Sequence, residues 1–256
     1  MKRVLLAVII LSLAGSFVYS QEDSIPPIPP KRSRSARIGA FGGFTPGWLF
    51  LNVDPINLYL AGAGGAPLKD DGVFLYGGAG SAYIMFLPNL RVGGVGMSGS
   101  IKSTSLDGLG VRRDAELSVG YGGVTFEYVI PVIERLDVLV GAMLGGGGIG
   151  ITLRADAGGN KTWAQEWGNF GSGNYQHGGT ITNITRKLDG RFFVWVPSVN
   201  AEYALLGWLG ARLGVSYVGM SAPSWQLDDN YDLLGVPSDV NGKGFMINAG
   251  LFVGTF

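Results

Sequence analysis

Eight stretches of this chain alternate apolar with small or polar side chains at every second position, and the connections between them alternate short and long. The stretches are Ala36–Phe44, Val73–Met85, Leu90–Lys102, Asp114–Ile130, Leu136–Leu153, Arg191–Ala204, Trp208–Gly219 and Gly244–Phe256. A period of two is the pattern of a β-strand whose two faces meet different surroundings. Three connections are short: Leu87-Pro88-Asn89, the turn at Glu134, and Leu205-Leu206-Gly207. The other four run through residues 45–72, Ser103–Arg113, Arg154–Gly190 and Met220–Lys243. Strict alternation of this kind places all short turns at one end of a meander and all long loops at the other.

The faces are unlike in a particular way. In Trp208–Gly219 one row is Leu209, Ala211, Leu213, Val215 and Tyr217, and the other is Gly210, Arg212, Gly214 and Ser216. In Arg191–Ala204 one row is Phe193, Trp195, Pro197, Val199, Ala201 and Tyr203, opposite Ser198, Asn200 and Glu202. Pro197 requires a position where no backbone N–H is needed. The last stretch sets Phe245, Ile247, Ala249, Leu251 and Val253 against Met246, Asn248, Gly250, Phe252 and Gly254. In Asp114–Ile130 the apolar row begins as Leu117, Val119, Tyr121 and continues as Val124, Phe126, Tyr128. That reading needs a phase slip at Gly122-Gly123, which a β-bulge would supply, and Leu90–Lys102 shows a similar slip at Gly93-Gly94. The expected inner row of Asp114–Ile130 then holds Glu116, Ser118, Thr125 and Glu127.

Composition agrees with apolar faces turned to lipid. Mean hydropathy is +0.27 and 15% of residues are charged, against about 25% in soluble domains. No stretch beyond the N-terminus approaches the roughly 20 apolar residues of a membrane helix. In lipid, only helices and closed barrels satisfy every backbone hydrogen bond, so strands of this character imply a closed barrel. Residues 1–20 read as a cleaved secretory signal, with Lys2 and Arg3 before an apolar run and Val18-Tyr19-Ser20 at its end. Without it the chain has 17 basic and 19 acidic residues, a net charge of −2, and no feature of a nucleic-acid-binding protein. The absence of cysteine excludes disulfides and thiolate metal sites. Residues 21–35, with two Pro-Pro pairs and a basic run, form an extended periplasmic linker.

The alternating rows, the short and long connections and the terminal strand ending in Phe256 resemble bacterial outer-membrane β-barrel proteins of the small, eight-stranded OmpA/OmpX-like type. The resemblance implies an all-β, antiparallel, up-and-down transmembrane barrel over residues 36–256 in the Gram-negative cell envelope. It also implies contact with outer-membrane lipid, and engagement of periplasmic chaperones and the barrel-assembly machinery through a terminal strand carrying Phe252 and Phe256. Eight strands are expected, or ten if residues 45–68 supply two more. That segment is too apolar for an ordinary external loop. Asp54-Pro55 marks a helix start and Gly62 or Gly64 a stop, so a short helix over Pro55–Ala61, in the barrel mouth or the outer leaflet, is the favoured reading.

Six charges fall on rows assigned to the interior: Arg37, Arg91, Arg212, Glu116, Glu127 and Glu202. Buried charges must be paired and hydrogen-bonded, and an eight-stranded barrel is narrow enough for side chains to fill it. The expectation is a lumen closed by Arg/Glu pairs, with Glu202 opposite Arg212. The alternative is a small passive pore for ions or solutes. External loops are expected to bind partners. Trp163, Trp167, Phe170 and Tyr175 stand among Gly, Asn and Gln in the longest loop and suit recognition of sugars or protein surfaces. The neighbouring Trp48, Leu49 and Phe50 would pack with them as a cap. The only histidine, His177, shares that loop with Ser172, Asp156 and Glu166, but no catalytic motif joins them. A lipid-modifying enzyme is therefore the distant alternative, and the chain is expected not to be an enzyme. Asp228, Asp229, Asn230 and Asp232 do not have the spacing of a Ca²⁺ loop, so neither a metal nor a cofactor is expected.

Overall fold

The computed structural model describes residues 39–108, 110–158, 162–164, 176–177, 180–181 and 183–254. The expected signal and the linker, with Arg37 and Phe256, lie outside them. The first elements are β1 (Ala40–Phe44), β2 (Gly47–Leu51), α1 (Asp54–Gly62) and β3 (Val73–Tyr83). Then come β4 (Leu90–Leu106), β5 (Arg112–Ile133) and β6 (Leu136–Asp156). A small pair, β7 (Gln176–His177) and β8 (Thr180–Ile181), precedes β9 (Asn183–Ala204). The chain continues through β10 (Leu209–Met220), β11 (Ser224–Leu227), β12 (Tyr231–Asp232) and β13 (Gly244–Gly254).

The wall closes. β3, β4, β5, β6, β9, β10 and β13 pair antiparallel in that order, and both β1 and β2 bridge β13 to β3. β1 and β2 are therefore one strand interrupted at Thr45-Pro46, where proline has no N–H to give the ladder. Its carbonyl still accepts a hydrogen bond from the Ala249 N–H, at 3.0 Å. Eight wall positions result. Residues 45–68 do not add two strands. They supply the outer half of the first strand and then α1, which starts at Asp54 with Pro55 in its first turn. Asn57 of α1 holds the returning chain. Its Nδ2 donates to the Leu68 carbonyl and its Oδ1 accepts from the Leu68 N–H, at 3.0 and 2.7 Å.

The expected phase slips are absent. β4 and β5 pair without a break from Leu90↔Tyr128 to Leu106↔Arg112, and β5 and β6 from Arg112↔Asp156 to Pro131↔Asp137. In β5 the inward row is therefore Ala115, Leu117, Val119, Tyr121, Thr125 and Glu127, and the outward row includes Glu116, Ser118, Val124, Phe126 and Tyr128. Leu117 and Val119 face the interior, not lipid. The glycines serve curvature instead. Gly123 and Gly145 are direct partners on the inner face, and a Cβ on either would run into a carbonyl of the facing strand, that of Leu144 or Gly122. Side chains on the inside of so tight a bend have no room.

Strand length separates membrane from exterior. A spanning strand needs about 9–11 residues. β3 and β13 have 11 and β10 has 12, whereas β5 and β9 have 22 and β6 has 21. The excess lies at the long-connection end. There the outward residues become Lys102, Thr104, Asp114, Glu116, Arg154 and Lys187, while nearer the short turns they are Phe126, Ile130, Val140, Leu144, Trp195, Val199, Leu213, Ile247 and Leu251. The four strands β4, β5, β6 and β9 form a curved wall standing beyond the lipid belt, and β11 extends it through pairing with β9.

Candidate functional site

The interior has two compartments. Toward the short turns, β4 presents Arg91, β5 Glu127, β9 Glu202 and β10 Arg212. Glu202 is the hub. Arg91 Nη1 donates to its Oε1 and Oε2 at 2.8 and 3.1 Å, and Arg212 donates to Oε2 through Nη2 and Nε at 2.8 and 3.1 Å. Arg212 Nη1 also donates to Glu127 Oε1 at 3.0 Å. Two cations and two anions thus form one neutral chain. The side chains of Arg91 and Glu202 are 1% and 2% exposed. Aromatic faces complete the shell. The Arg91 guanidinium carbon lies 4.4 Å from the Phe41 ring centre and 4.5 Å from that of Tyr83, whose hydroxyl also accepts from Nη2 at 2.5 Å. Arg212 lies 4.5 Å from the Phe252 ring centre. Cation–π contacts of this kind strengthen when water is excluded.

Of the six charges expected inside, these four come together. Glu116 does not. It faces outward and pairs with Lys102 across the β4–β5 ladder, 3.2 Å apart. The reason is the unbroken register of β5, which turns residue 116 away from the lumen. Arg37 lies outside the described residues. Phe252, expected as part of the assembly strand, faces inward and is 2% exposed.

Toward the long connections the interior is apolar. Leu49, Val73, Leu75, Leu117, Val119, Ile149, Val194 and Val218 pack with Ile56 and Leu60 of α1 and with Trp225 and Val240 of the last connection. Leu49, expected in a loop cap, belongs to this core. Trp48 and Phe50 of the same strand point outward, and Trp48 packs edge-on against Phe74. Between the two compartments lies a cavity of about 70 Å³ bordered by Thr125, Ser198, Asn200, Ser216 and Asn248 among others.

Above the apolar core a larger cavity of about 520 Å³ opens between the projecting wall and the last connection. Its wall is Ala115, Ile151, Leu153, Ala155 and Leu188, its other side Tyr59 and Leu60 of α1 with Trp225, Leu233, Val236 and Val240. Arg113 and Arg186, on the inward rows of β5 and β9, stand at its rim. Arg113 Nη1 pairs with Asp107 at 2.6 Å and Arg186 Nη1 with Asp228 at 2.8 Å. The volume falls within the range of about 300–1,000 Å³ found for small-molecule sites. The sequence carried one sign of it, the run Leu233-Leu234-Gly235-Val236 inside a connection otherwise read as acidic and solvated.

That connection is anchored by charge. Asp228 accepts from the Lys187 backbone N–H at 2.9 Å as well as from Arg186, and Lys187 Nζ reaches Asp229 at 3.4 Å. The backbone N–H of Lys187, and then Arg186, hold the Asp228 carboxyl below the usual carboxylate range. A carboxylate with a lowered folded-state pKa contributes stability above its unfolded value, lost as pH falls through the folded one. Hydrogen exchange in Trp225–Tyr231, corrected for intrinsic rates, is therefore expected to rise below about pH 4 relative to pH 7, and Asp228→Asn is expected to remove most of that dependence. Equal protection at both pH values would contradict the anchor. Among the described residues no cluster of His, Cys, Asp and Glu has the arrangement of a metal site.

Trp163 is 80% exposed. Trp167, Phe170, Tyr175, Ser172 and Glu166 lie outside the described residues. His177 lies in β7, and Asp156 ends β6.

No protein-family description matches this chain, and no curated protein resembles it in sequence. Several solved structures resemble it in fold. One is Ail, the attachment invasion locus protein of Yersinia pestis, in complex with the heparin analogue sucrose octasulfate. It shares 8% identity at a TM-score of 0.38, over 85% of this chain and 99% of that one. A second structure of Ail gives 8% identity and a TM-score of 0.36, over 85% and 97%. The outer membrane protease OmpT from Escherichia coli gives 12% identity and 0.34, over 87% and 98%. TM-scores below 0.5 assign no site or ligand to this chain. The expectation that the chain is not an enzyme is nevertheless corrected, because a protease is among these structures and the architecture does not exclude catalysis. The ring, its apolar belt and its projecting wall make this chain an outer-membrane β-barrel of eight strands.

Proposed function

We propose that the barrel is closed to ions and solutes and acts at the cell surface by binding through its external end. The observation that carries this reading is the filling of both halves of the interior. Arg91 and Glu202 are buried in one half, and Leu117 and Val119 in the other. An eight-stranded barrel leaves only enough interior for side chains. The cavity between the two halves, about 70 Å³, has room for a few waters but is no channel. The external end offers what the lumen lacks: a standing wall, an apolar cavity, and the aromatic loop whose Trp163, Trp167, Phe170 and Tyr175 belong to the proposed binding surface. Outer-membrane lipid, chaperones and the barrel-assembly machinery are the partners this reading implies for placement in the membrane.

Planar-bilayer recording tests the closed lumen. The refolded chain, its barrel first verified by heat-modifiable gel migration, is expected to give no steady openings. Arg212→Ala is expected to remain silent too, because the apolar half still blocks the path. Steady ohmic openings of the unaltered protein would overturn the reading in favour of a small pore.

A further inference from the structure

We propose that the cavity at the external end binds a small amphiphilic anion, an aliphatic or aromatic body carrying a carboxylate or sulfonate. The proposal rests on the reading that the barrel binds through its external end, and names the ligand class for that end.

Three observations support it. First, the cavity has ligand size, about 520 Å³, and its sides are formed mainly by Ile151, Leu153, Leu188, Trp225, Leu233 and Val236. Such a surface loses little by releasing water to an apolar guest. Second, apolar side chains at the lip lie open although this part of the chain stands beyond the lipid belt. Leu234 is 89% exposed and Tyr59 61%, and both border the cavity. Exposed apolar groups gathered around a concavity outside the membrane mark a binding site more often than they mark chance. Third, the charged side chains that the bordering wall turns inward are both arginines, Arg113 and Arg186. The remaining two charged border residues, Asp114 and Arg154, are cross-strand partners on the outward row.

Each rim arginine has one carboxylate partner and retains donors. Arg113 gives Nη1 to Asp107, and Arg186 gives Nη1 to Asp228. Both guanidinium groups are partly exposed, so solvent or an anion reaches the remaining N–H groups. A guanidinium binds a carboxylate or sulfonate through paired N–H donors. A guest with its apolar body in the cavity and its anionic group at the lip satisfies both parts. A neutral guest leaves the arginines unused, and an inorganic anion leaves the apolar walls unused.

The experiment uses the full mature chain in nanodiscs of zwitterionic lipid, titrated with the fluorescent anion anilinonaphthalene sulfonate. Ala155→Trp is the blocked variant, because that side chain fills the cavity from β6 while the lipid stays the same. Saturable fluorescence is expected from the unaltered protein, and Ala155→Trp is expected to give no more than protein-free nanodiscs of the same lipid. Arg186→Gln is expected to weaken binding about tenfold, as for loss of a hydrogen bond to a charged group. Leu234→Asp, a change at an exposed lip position that leaves the fold intact, is expected to weaken it as well. Gel migration verifies that each variant has formed its barrel. Absence of saturable binding, or equal binding by the unaltered protein, Ala155→Trp and Leu234→Asp, overturns the proposal. A conducting barrel that still binds the probe would reject the closed lumen and leave the cavity site standing, so the two failures are distinguishable.

Discussion

Replacing Glu202 with glutamine is expected to lower the stability of the folded barrel by about 3–5 kcal/mol, the usual cost of removing one partner from a buried ion pair. The size follows from its position as hub. Its carboxylate accepts from Arg91 at one side and from Arg212 at the other. Glutamine keeps one carbonyl oxygen as an acceptor but removes the negative charge between the two guanidinium groups, leaving Arg91 with the Tyr83 hydroxyl and the faces of Phe41 and Tyr83 as its other contacts. Desolvation of a cation is not repaid by aromatic faces alone. Urea unfolding from lipid vesicles, followed by tryptophan fluorescence, measures the change. Glu116→Gln is the control and is expected to stay within about 0.5 kcal/mol, as for surface pairs. A loss below about 1 kcal/mol for Glu202→Gln would mean that water reaches the network and screens it.

Leu117→Ala is expected to cost about 2–5 kcal/mol, the range for truncating a large side chain in a packed core, whereas Ser118→Ala one residue away is expected to change little. Leu117 is 0% exposed among Val119, Ile149 and Ile151, and Ser118 lies on the outward row. The pair of variants reads the phase of β5 directly. If the strand carried a bulge at Gly122-Gly123, Leu117 would face lipid or solvent, the truncation would leave no cavity, and the two variants would behave alike. The same unfolding assay separates these results.

The two expectations meet at the point where sequence reading stopped short. On β9, β10 and β13 the apolar row is the lipid row, and Phe193, Leu213 and Ile247 point outward as the alternation implies. On β5 the same rule misassigned Leu117, Val119 and Tyr121, which face inward, and Glu116 and Ser118, which face outward. Alternation establishes that a strand has two faces but does not state which face is inside. Where a strand lies in the membrane, lipid makes the apolar row the outer one. Where it rises past the membrane, water is outside, and the apolar row turns to the interior. β5 crosses that boundary. Its outward row changes from Tyr128, Phe126 and Val124 to Ser118, Glu116 and Asp114 while its geometry stays regular. In sequence the change of surroundings looks like a change of phase, and the glycines at the boundary look like the bulge that would cause it.

The binding cavity was illegible for a related reason. Its borders come from α1, four wall strands and the last connection, segments far apart in the chain, none of which forms a concave surface alone. The Arg–Glu residues were easier to find, because a charge on the small-residue row of an otherwise apolar strand is costly and stands out. Their aromatic shell was not, since Phe41, Tyr83 and Phe252 could equally have served the lipid belt.

By itself the sequence determined the strand period, the alternation of short and long connections, the low charge and the absence of a membrane helix, and these leave a closed antiparallel barrel as the arrangement that satisfies its backbone in lipid. Tertiary structure alone decided that the first strand continues past Pro46, that α1 packs over the lumen, and which carboxylates meet which arginines. It also decided where lipid ends along β4, β5, β6 and β9. Local pattern is set by each residue and its second neighbour, whereas inside and outside are properties of the closed surface and exist only once the ring has formed.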